Sequence, residues 1–355
     1  MNVLSLFDGI SCGMVALERA EIPVETYYAA EVNKFATAIS MKNYPSIVRV
    51  GNVCGWKSWD IDWSQIDLVF AGFPCQAWSV AGKQLGDKDD RGMLFWVMLD
   101  IIKHVQHHNP RVKFLIENVK MKKEFEEYIT YHTNQALGEV HKTLINSALV
   151  SAQNRKRYYW TNFETAQPED KKIFLKDILE YGCVDRDKSY CIDASYHKGG
   201  NLDQYFNKSR RQLVFAQRPR GKNKGGIIPG GKSSTLTANS WEHNNFIADV
   251  PVRDKSKTVR SSGRNSYDRH EWDSISDCHY RKLTVTECER LQTLPDGYTD
   301  VDFLDIDRIA LYAMFGGDQG LKDCVSNTQR YKAIGNGWTV DVITRILECM
   351  TCTSS

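Results

Sequence analysis

The stretch DLVFAGFPCQAWSVAGK, residues 67–83, joins an apolar run to a glycine, a phenylalanine, a proline and then a cysteine. The run IDLVFAGF at 66–73 predicts a buried strand, and Pro74 restricts the backbone directly before Cys75. A cysteine in such a turn is usually a small buried side chain. A rigid, partly exposed thiol near positive charge would instead favour the thiolate, which is the nucleophilic form.

The first 160 residues alternate apolar strands with helical stretches. Strands are predicted over 2–7, 25–32, 47–51, 66–73 and 112–117, and helices over 13–20, 34–44 and 92–105. This alternation favours an α/β fold with a doubly wound, mostly parallel sheet and helices on both faces. Ligands bind at the carboxyl edge of such a sheet, so the residues that end these strands predict one site. They are Phe7, Asp8, Glu31, Asn52, Cys75 and Glu117.

Composition limits the class of protein. The chain has 355 residues, 42% hydrophobic and 25% charged, enough for a sizeable core and for two domains. Forty-six Lys and Arg against 44 Asp and Glu leave a net charge of +2, so overall charge does not indicate nucleic acid. The start MNVLSLFDG has no basic leader, and no run is long enough to span a membrane. We therefore expect a soluble, cytoplasmic protein.

A metal site is not expected. The ten cysteines are scattered, and Cys349 and Cys352 lack the second CxxC pair of a zinc site. Reduced, intracellular thiols are the simpler interpretation. His104, His107 and His108 share a helical face at ligand spacing, but no acidic or cysteine partner is evident, and histidines near a helix end already favour the dipole.

Charge is concentrated in the middle of the chain. Between about 164 and 280 the apolar periodicity breaks up, and segments such as NKSRRQLVFAQRPRGKNKGG at 207–226 interleave Lys and Arg with small polar residues. Loops of this composition contact phosphates and base edges in nucleic-acid-binding proteins. A solvated, loop-rich subdomain explains the same charges equally well.

The first turn, FDGISCG at 7–13, points to a nucleoside. It has Gly9 and Gly13 for close backbone approach, but it matches neither GxGxxG nor a phosphate-binding loop with its lysine. Glu31 follows at the distance where an acid binds ribose hydroxyls. A ribose-binding acid without a phosphate cradle suits S-adenosylmethionine better than NAD. A strand-turn-helix corner without a ligand is the alternative.

Three further residues have chemistry suited to the same edge. Glu117 ends a hydrophobic strand, where loss of water favours the protonated carboxyl and general-acid work. Arg155 and Arg157 lie two apart in a β-like segment, so both side chains point to one face. They could orient an anionic group, although a surface salt-bridge pair is the commoner meaning of two arginines.

Five motifs carry a resemblance to a known family. They are GFPCQAWSVAGK at 72–83, ENV at 117–119, QNRKRYY at 153–159, RKLTVTECERLQTLPDGYT at 281–299 and AIGNGWTVDVI at 333–343. In this order, and over almost the whole chain, they resemble the DNA (cytosine-5) methyltransferases. VSAQNRKRYYW and GNGWTVDVI are similar to the branch that contains the animal de novo methyltransferases. No chromatin-reading domain accompanies them, so we expect a prokaryotic or phage enzyme.

The resemblance implies the S-adenosylmethionine-dependent methyltransferase fold, with S-adenosylmethionine as cofactor and S-adenosylhomocysteine as product. It places Phe7 near the adenine, the turn 8–12 along the methionine part and Glu31 on the ribose. Two departures stand out: Asn52 replaces the usual Asp, which weakens binding although its carbonyl can still accept from the adenine amino group, and Cys12 replaces a common glycine. The implied pocket is Phe7, Asp8, Gly9, Ile10, Cys12, Glu31, Val32, Asn52, Val53, Pro74, Leu94, Asn336 and Trp338.

The resemblance also implies the chemistry. The Cys75 thiolate would attack C6 of cytosine while Glu117 donates a proton or hydrogen bond to N3. Arg157 would hold the base carbonyl or a nearby phosphate, and Arg155 would help to steer the thiolate. Because C6 is buried in a stacked duplex, the cytosine must be flipped out of the DNA.

The domain division follows from the same resemblance. Residues 1–165 and 326–355 would form the catalytic and cofactor-binding domain, and 166–325 the target-recognition domain. Duplex DNA is the expected partner, the enzyme is expected to be a monomer, and a cognate restriction endonuclease is expected to act separately. The residues expected to bind DNA are Gln76, Ser79, Lys83, Arg210, Arg211, Arg218, Arg220, Thr258 and Arg260.

Two alternatives stay open at this point. The same chemistry on transfer RNA is the first, although RNA-directed relatives resemble this chain less around the catalytic loop. A non-catalytic DNA-binding relative is the second. The presence of Cys75, Glu117, Arg155 and Arg157 together argues against it.

Overall fold

The computed structural model describes residues 1–74, 92–182, 184–215, 280–302, 304–317 and 324–352. Eight of the site residues expected from the sequence lie outside these ranges. They are Cys75, Gln76, Ser79, Lys83, Arg218, Arg220, Thr258 and Arg260.

A seven-stranded sheet forms the centre of the molecule. Its strands are β1 (Asn2–Leu6), β2 (Thr26–Ala30), β3 (Val48–Arg49), β4 (Ile66–Ala71), β5 (Lys113–Val119), β6 (His141–Asn146) and β7 (Lys156–Thr161). They lie in the order β3-β2-β1-β4-β5-β7-β6, with β1 to β5 parallel and β7 antiparallel to both of its neighbours. Since strand order reverses between β1 and β4, a ligand cleft is expected at their carboxyl ends.

Helices cover both faces of the sheet. They are α1 (Cys12–Arg19), α2 (Lys34–Asn43), α3 (Met93–His108), α4 (Lys123–Leu137), α5 (Leu202–Phe206), α6 (Val285–Leu291), α7 (Arg308–Phe315), α8 (Asn327–Asn336) and α9 (Val340–Cys352). α1, α2 and α9 share one core with one sheet face, and α3 and α4 share a second core with the other. β1 is therefore buried on both sides, as expected of a central parallel strand.

The expected fold class is confirmed. Every strand and helix predicted in the first 160 residues is present, with small differences at the ends. β5 continues past Glu117 to Val119, because the residues after the carboxylate pair with β7. In the described parts of the chain no helix is long and apolar enough to cross a membrane.

A smaller sheet and a third core lie in the loop-rich part of the chain. β8 (Leu213–Phe215) and β9 (Tyr280–Lys282) pair antiparallel. The third core joins residues from this part, such as Ile192 and Val214, to Tyr331 and Ile334 of α8. Leu294, by contrast, is buried in the core that α1 and α2 share. The division into 1–165 plus 326–355 and 166–325 stays a prediction.

The histidine face on α3 packs against tryptophans. The His104 ring lies 5.0 Å from both the Trp56 and the Trp63 ring, centroid to centroid. Among the residues described, no cluster of three His, Cys, Asp or Glu side chains has the geometry to hold a metal ion.

α8 docks directly onto the loop that follows β7. A Cβ added to Gly335 would lie 2.3 Å from the Asp193 carbonyl carbon and 2.5 Å from the Ala194 nitrogen. These are backbone atoms, so they cannot rotate away as a flexible side chain could. The glycine therefore permits the contact that joins α8 to the loop-rich part.

We predict that Gly335→Ala lowers the free energy of unfolding by about 3 kcal/mol, since overpacking against backbone forces α8 to shift. Denaturant unfolding followed by circular dichroism measures the change. Gly55→Ala is the matched control, because its nearest atom, Ser58 Oγ, lies 3.9 Å from the added Cβ. Equal stability of the two variants would contradict the close docking of α8.

Candidate active site

The turn between β1 and α1 has an unusual backbone. Phe7, Gly9 and Ser11 all have positive φ, at 59°, 63° and 59°. Such values cost energy for residues with a Cβ, so the surroundings must hold the turn. Gly9 has no Cβ, so it adopts its positive φ without this cost. Strained backbone of this kind is concentrated at ligand-binding sites.

Glu31 holds this turn from the end of β2. Its Oε2 accepts from the Gly9 N–H at 2.8 Å, and its Oε1 accepts from the N–H groups of Val32 and Asn33 at 2.8 and 2.7 Å. A carboxylate has about four acceptor positions, so three backbone donors leave room for one more. Burial raises the pKa of Glu31 even though these donors oppose the shift.

Asp8 is held from the other side of the turn. Its Oδ2 accepts from Ser11 Oγ at 2.5 Å and its Oδ1 accepts from the Tyr27 hydroxyl at 2.7 Å. Burial raises the pKa of Asp8, and the hydroxyl donors and the charge of Arg49 only partly offset it. The two acids of the site thus lie in surroundings that disfavour their charge.

A cavity of about 390 Å³ opens between the ends of β1, β2 and β3. Thr37 and Arg49 belong to its lining. Within the described part of the chain, Thr37 Oγ1 and Arg49 Nε are buried without a hydrogen-bond partner. Buried polar atoms of this kind usually bind water or a ligand. The lining residues are Asp8, Gly9, Ala29, Glu31, Val32, Thr37, Ser40, Arg49, Val50, Gly51, Asn52, Met314 and Phe315.

Five of the expected cofactor positions line this cavity: Asp8, Gly9, Glu31, Val32 and Asn52. The others lie around it. Phe7 and Leu94 pack against the core on the α3 side, where Val53 is buried. Ile10 and Cys12 are buried in the core on the α1 side, and burial raises the pKa of the Cys12 thiol to about 12. Pro74 is half-buried after β4, and Asn336 is exposed at the end of α8.

Sequence reasoning did not predict eight of the lining residues, and five of these have polar side chains or come from α7. Thr37 and Ser40 lie on α2 and Arg49 ends β3, while Met314 and Phe315 come from α7, far along the chain. A helical pattern indicates that Thr37 and Ser40 share a face. It does not indicate that this face looks into the cavity.

Asn52 has a local partner at the end of β3. Its Oδ1 accepts from the Cys54 N–H at 3.0 Å and so caps the 3-10 helix Val53–Ser58. An amide oxygen has two lone pairs, so one remains for a ligand donor. This arrangement is compatible with the acceptor role expected for Asn52.

The carboxyl of Glu117 has a partner on each oxygen. Arg157 Nε lies 3.0 Å from Oε1, and the Trp338 indole N–H donates to Oε2 at 3.1 Å. The side chains of Glu117 and Arg157 are 12% and 13% exposed, so this ion pair is largely shielded from water. Arg157 reaches Glu117 because β7 pairs antiparallel with β5.

Arg155 is buried and bonds to backbone. Its guanidinium donates to the carbonyls of Ile192 at 3.0 Å, Gly335 at 3.3 Å and Gly337 at 2.8 Å. The alternative of a surface salt-bridge pair is therefore wrong for Arg155, which is 3% exposed. Both arginines do point to one side, since each reaches the Cys191 sulfur.

Cys191 is a member of this cluster that sequence reasoning missed. Its thiol accepts from Arg155 Nη1 at 3.5 Å and from Arg157 Nη2 at 4.0 Å. Burial alone would raise its pKa, but the two guanidinium groups lower the pKa of Cys191 below its ordinary value. The side chain is nevertheless exposed to reagents. Its position in the loop after β7 carries no signal in a single sequence.

The two described residues of the expected DNA-binding set differ in their surroundings. Arg210 is half exposed, 3.7 Å from the Asp193 carboxylate. Arg211 donates to the Gly199 carbonyl at 2.5 Å and so helps to fold the loop around it. Arg210 is the one whose guanidinium is more available to a phosphate.

We predict that the rate at which iodoacetamide alkylates Cys191 reaches half its maximum at a lower pH than the rate for free cysteine, because Arg155 and Arg157 favour the Cys191 thiolate. This pH is called the midpoint. Arg157→Gln should raise this midpoint. Lys156→Gln is the control, since it removes the same charge from an exposed neighbour. Alkylation of the Cys191 peptide followed by mass spectrometry distinguishes it from other thiols. An unchanged midpoint in Arg157→Gln would contradict the assignment.

Comparison with known proteins identifies the family. The family model of C-5 cytosine-specific DNA methylases matches residues 1–352. The type II methyltransferase M1.ScrFI of Lactococcus lactis subsp. cremoris is 26% identical over 98% of this chain and 77% of its own. The type II methyltransferase M.NlaX of Neisseria lactamica is 26% identical over 98% of this chain and 96% of its own.

Solved structures show the same fold. The Entamoeba histolytica methyltransferase EhMeth superposes with a TM-score of 0.60 at 17% identity, covering 100% of this chain and 99% of that one. An Escherichia coli prophage protein described as a DNA modification methyltransferase superposes with a TM-score of 0.53 at 17% identity, covering 99% of each chain. With its strand order, its edge cavity and its full-length family match, the chain belongs to the C-5 cytosine-specific DNA methylases and is a DNA (cytosine-5) methyltransferase.

Proposed function

We propose that the enzyme binds S-adenosylmethionine at the cavity between β1, β2 and β3. The donor and acceptor set fits a nucleoside with an amino-acid tail: Glu31 has an acceptor position left for a ribose hydroxyl, and Asn52 has one left for an amino group. Thr37, Ser40 and Arg49 add polar side chains to the wall of the cavity. When bound, S-adenosylmethionine supplies an electrophilic methyl group and leaves as S-adenosylhomocysteine.

Cys75 is the proposed nucleophile. Its thiolate adds to C6 of cytosine, while Glu117 gives a proton or a hydrogen bond to ring N3. Carbon 5 becomes nucleophilic and takes the methyl group. A base or water then removes the C5 proton, the C6–S bond breaks, and Cys75 is free again. The paired, shielded carboxyl of Glu117 in β5 is the observation that carries this proposal.

The two arginines have different proposed roles. Arg157 lies beside Glu117, so it can both orient that carboxyl and hold the base carbonyl or a nearby phosphate. Arg155 acts from a buried position through the backbone it binds and through its positive charge, which favours a thiolate nearby.

We propose that the substrate is duplex DNA and that the target cytosine leaves the stack to reach Cys75, at a cost of about a few kcal/mol. The segment 166–325 would read the sequence, and 1–165 with 326–355 would carry out the reaction. Arg210 is the described residue that best suits a phosphate contact. Methylation of transfer RNA is not favoured, because the family model that matches the chain is that of C-5 cytosine-specific DNA methylases.

The relatives suggest a biological setting. The chain matches type II methyltransferases of bacteria over nearly its full length, and a prophage protein shares its fold. We propose a monomer that acts at DNA in the cytoplasm of a bacterial or phage-infected cell. A cognate restriction endonuclease would act separately on the same target sequence.

Cys75→Ser should lower single-turnover methyl transfer to DNA by about 10³-fold or more, because a hydroxyl is a far weaker nucleophile than a thiolate. Affinity for S-adenosylhomocysteine, measured by calorimetry, should stay within about twofold. The assay follows labelled methyl into 5-methylcytosine in duplex DNA and, separately, into transfer RNA. Full activity of Cys75→Ser would overturn the nucleophile, and a product found in transfer RNA alone would overturn the substrate.

Arg210→Gln should weaken DNA binding and make the slope of log K against log salt shallower by about 0.9, as loss of one phosphate contact predicts. Fluorescence anisotropy between about 50 and 200 mM salt measures both quantities. Lys208→Gln is the control, since that nearby lysine is half exposed and pairs with Asp203 at 2.8 Å. Identical slopes for wild type and Arg210→Gln would mean that Arg210 faces solvent in the complex.

A further inference from the structure

Trp338 connects the C-terminal segment to the proposed general acid. Its indole Nε1–H donates to Glu117 Oε2 at 3.1 Å, across 221 residues of sequence. Arg157 Nε contacts the other oxygen at 3.0 Å. Two donors from different directions fix both the position of the carboxyl and its rotation about the terminal bond.

The indole is itself held in place. Its ring meets the Phe70 ring edge to face, with centroids 5.7 Å apart. A Cβ added at Gly72 would lie 3.1 Å from Nε1 and 3.3 Å from Cζ2 of Trp338. The glycine that follows β4 therefore leaves the space in which the indole reaches Glu117.

The backbone on both sides of Trp338 is also fixed. The Gly337 carbonyl accepts from Arg155 at 2.8 Å and from Gln292 at 3.1 Å. The buried hydroxyl of Thr339 accepts a hydrogen bond from Ser147 Oγ at 2.9 Å and donates one to Gln292 Oε1 at 2.8 Å. A side chain anchored in this way can orient another group, because it has little freedom of its own.

A packing role alone does not account for the partner of this indole. A half-buried tryptophan needs an acceptor for its N–H, and a backbone carbonyl would serve. Here the acceptor is the carboxylate that the reaction uses. Each carboxyl oxygen keeps a second lone pair, so the contact leaves a position for the proton that Glu117 donates to ring N3.

We propose that Trp338 is a positioning residue that holds the Glu117 carboxyl in the orientation needed to meet ring N3 of the flipped cytosine. The inference rests on the proposed role of Glu117. If Trp338 orients Glu117, the C-terminal segment takes part in the chemical step as well as lying next to the cofactor, which is the role expected from the sequence.

Trp338→Phe keeps an aromatic ring against Phe70 and removes the N–H. We expect kcat to fall about tenfold, as for loss of one hydrogen bond to a charged group. Affinity for S-adenosylhomocysteine and for DNA should change by less than about threefold, because the ring still fills its place. Trp63→Phe, in the aromatic cluster that packs against His104 of α3, is the control for an indole-to-phenyl change and should keep wild-type kcat.

A double-mutant cycle with Glu117→Gln tests whether Trp338 acts through Glu117. The rate of methyl transfer is measured in single turnovers, with enzyme in excess and long incubation for the slow variants. In the Glu117→Gln background, Trp338→Phe should not lower this rate further. A tenfold loss in both backgrounds would overturn the positioning role. Full activity of Glu117→Gln itself would instead overturn the proposed general acid, so the two failures are distinguishable.

Gly72→Ala gives an independent arm of the test. The added methyl would lie 3.1 Å from Nε1 and 3.3 Å from Cζ2 of the indole, and the smaller phenyl ring of Trp338→Phe relieves this crowding. Gly72→Ala should therefore lower kcat in the wild type and have a smaller effect beside Trp338→Phe. Equal effects in the two backgrounds would contradict the geometry. Thermal unfolding of each variant verifies that the protein remains folded.

Discussion

The buried guanidinium of Arg155 is the interaction on which the site depends. A guanidinium removed from water must find acceptors, and those of Arg155 come from two distant segments, the loop at 191–192 and the backbone at 335–337. Satisfying that charge therefore brings together the turn before β7, the loop-rich part and the end of α8. Trp338 follows directly in this backbone, so the same constraint delivers its indole to Glu117.

Buried amides reinforce the arrangement. Gln292 donates to the carbonyls of Ile334 and Gly337 and accepts from Gln153 and Thr339. Networks of this kind specify one packing, because each unmade bond would leave a buried polar group unsatisfied. In the resulting cluster two arginines contact Cys191 and one of them pairs with Glu117, and the net positive charge favours thiolates and phosphates. At the cofactor cavity, by contrast, the surroundings disfavour negative charge, because burial raises the pKa of both Asp8 and Glu31.

Much of the fold could be predicted because it follows from local patterns. The apolar runs ending at Leu6, Ala30 and Ala71 are strands, and their carboxyl ends line up because parallel strands share an edge. The partners of the site residues could not be predicted in the same way. Glu31 was expected on a ribose, and it also holds the strained β1–α1 turn. Arg155 was expected near the Cys75 thiolate, and its described contacts are backbone carbonyls and the Cys191 sulfur. Thr37, Arg49 and Cys191 were not singled out at all.

The sequence by itself determined the alternation of strands and helices, the family motifs and the residue types that end each strand, because these depend on side chains close together in the chain. Only the tertiary structure decided which of them meet. Glu117 and Trp338 are 221 residues apart, and Met314 and Phe315 reach a cavity whose other walls come from the first 52 residues. Contacts of this kind depend on how the segments dock, and docking is governed by packing such as that of Gly335 on Asp193 and by the satisfaction of buried charge.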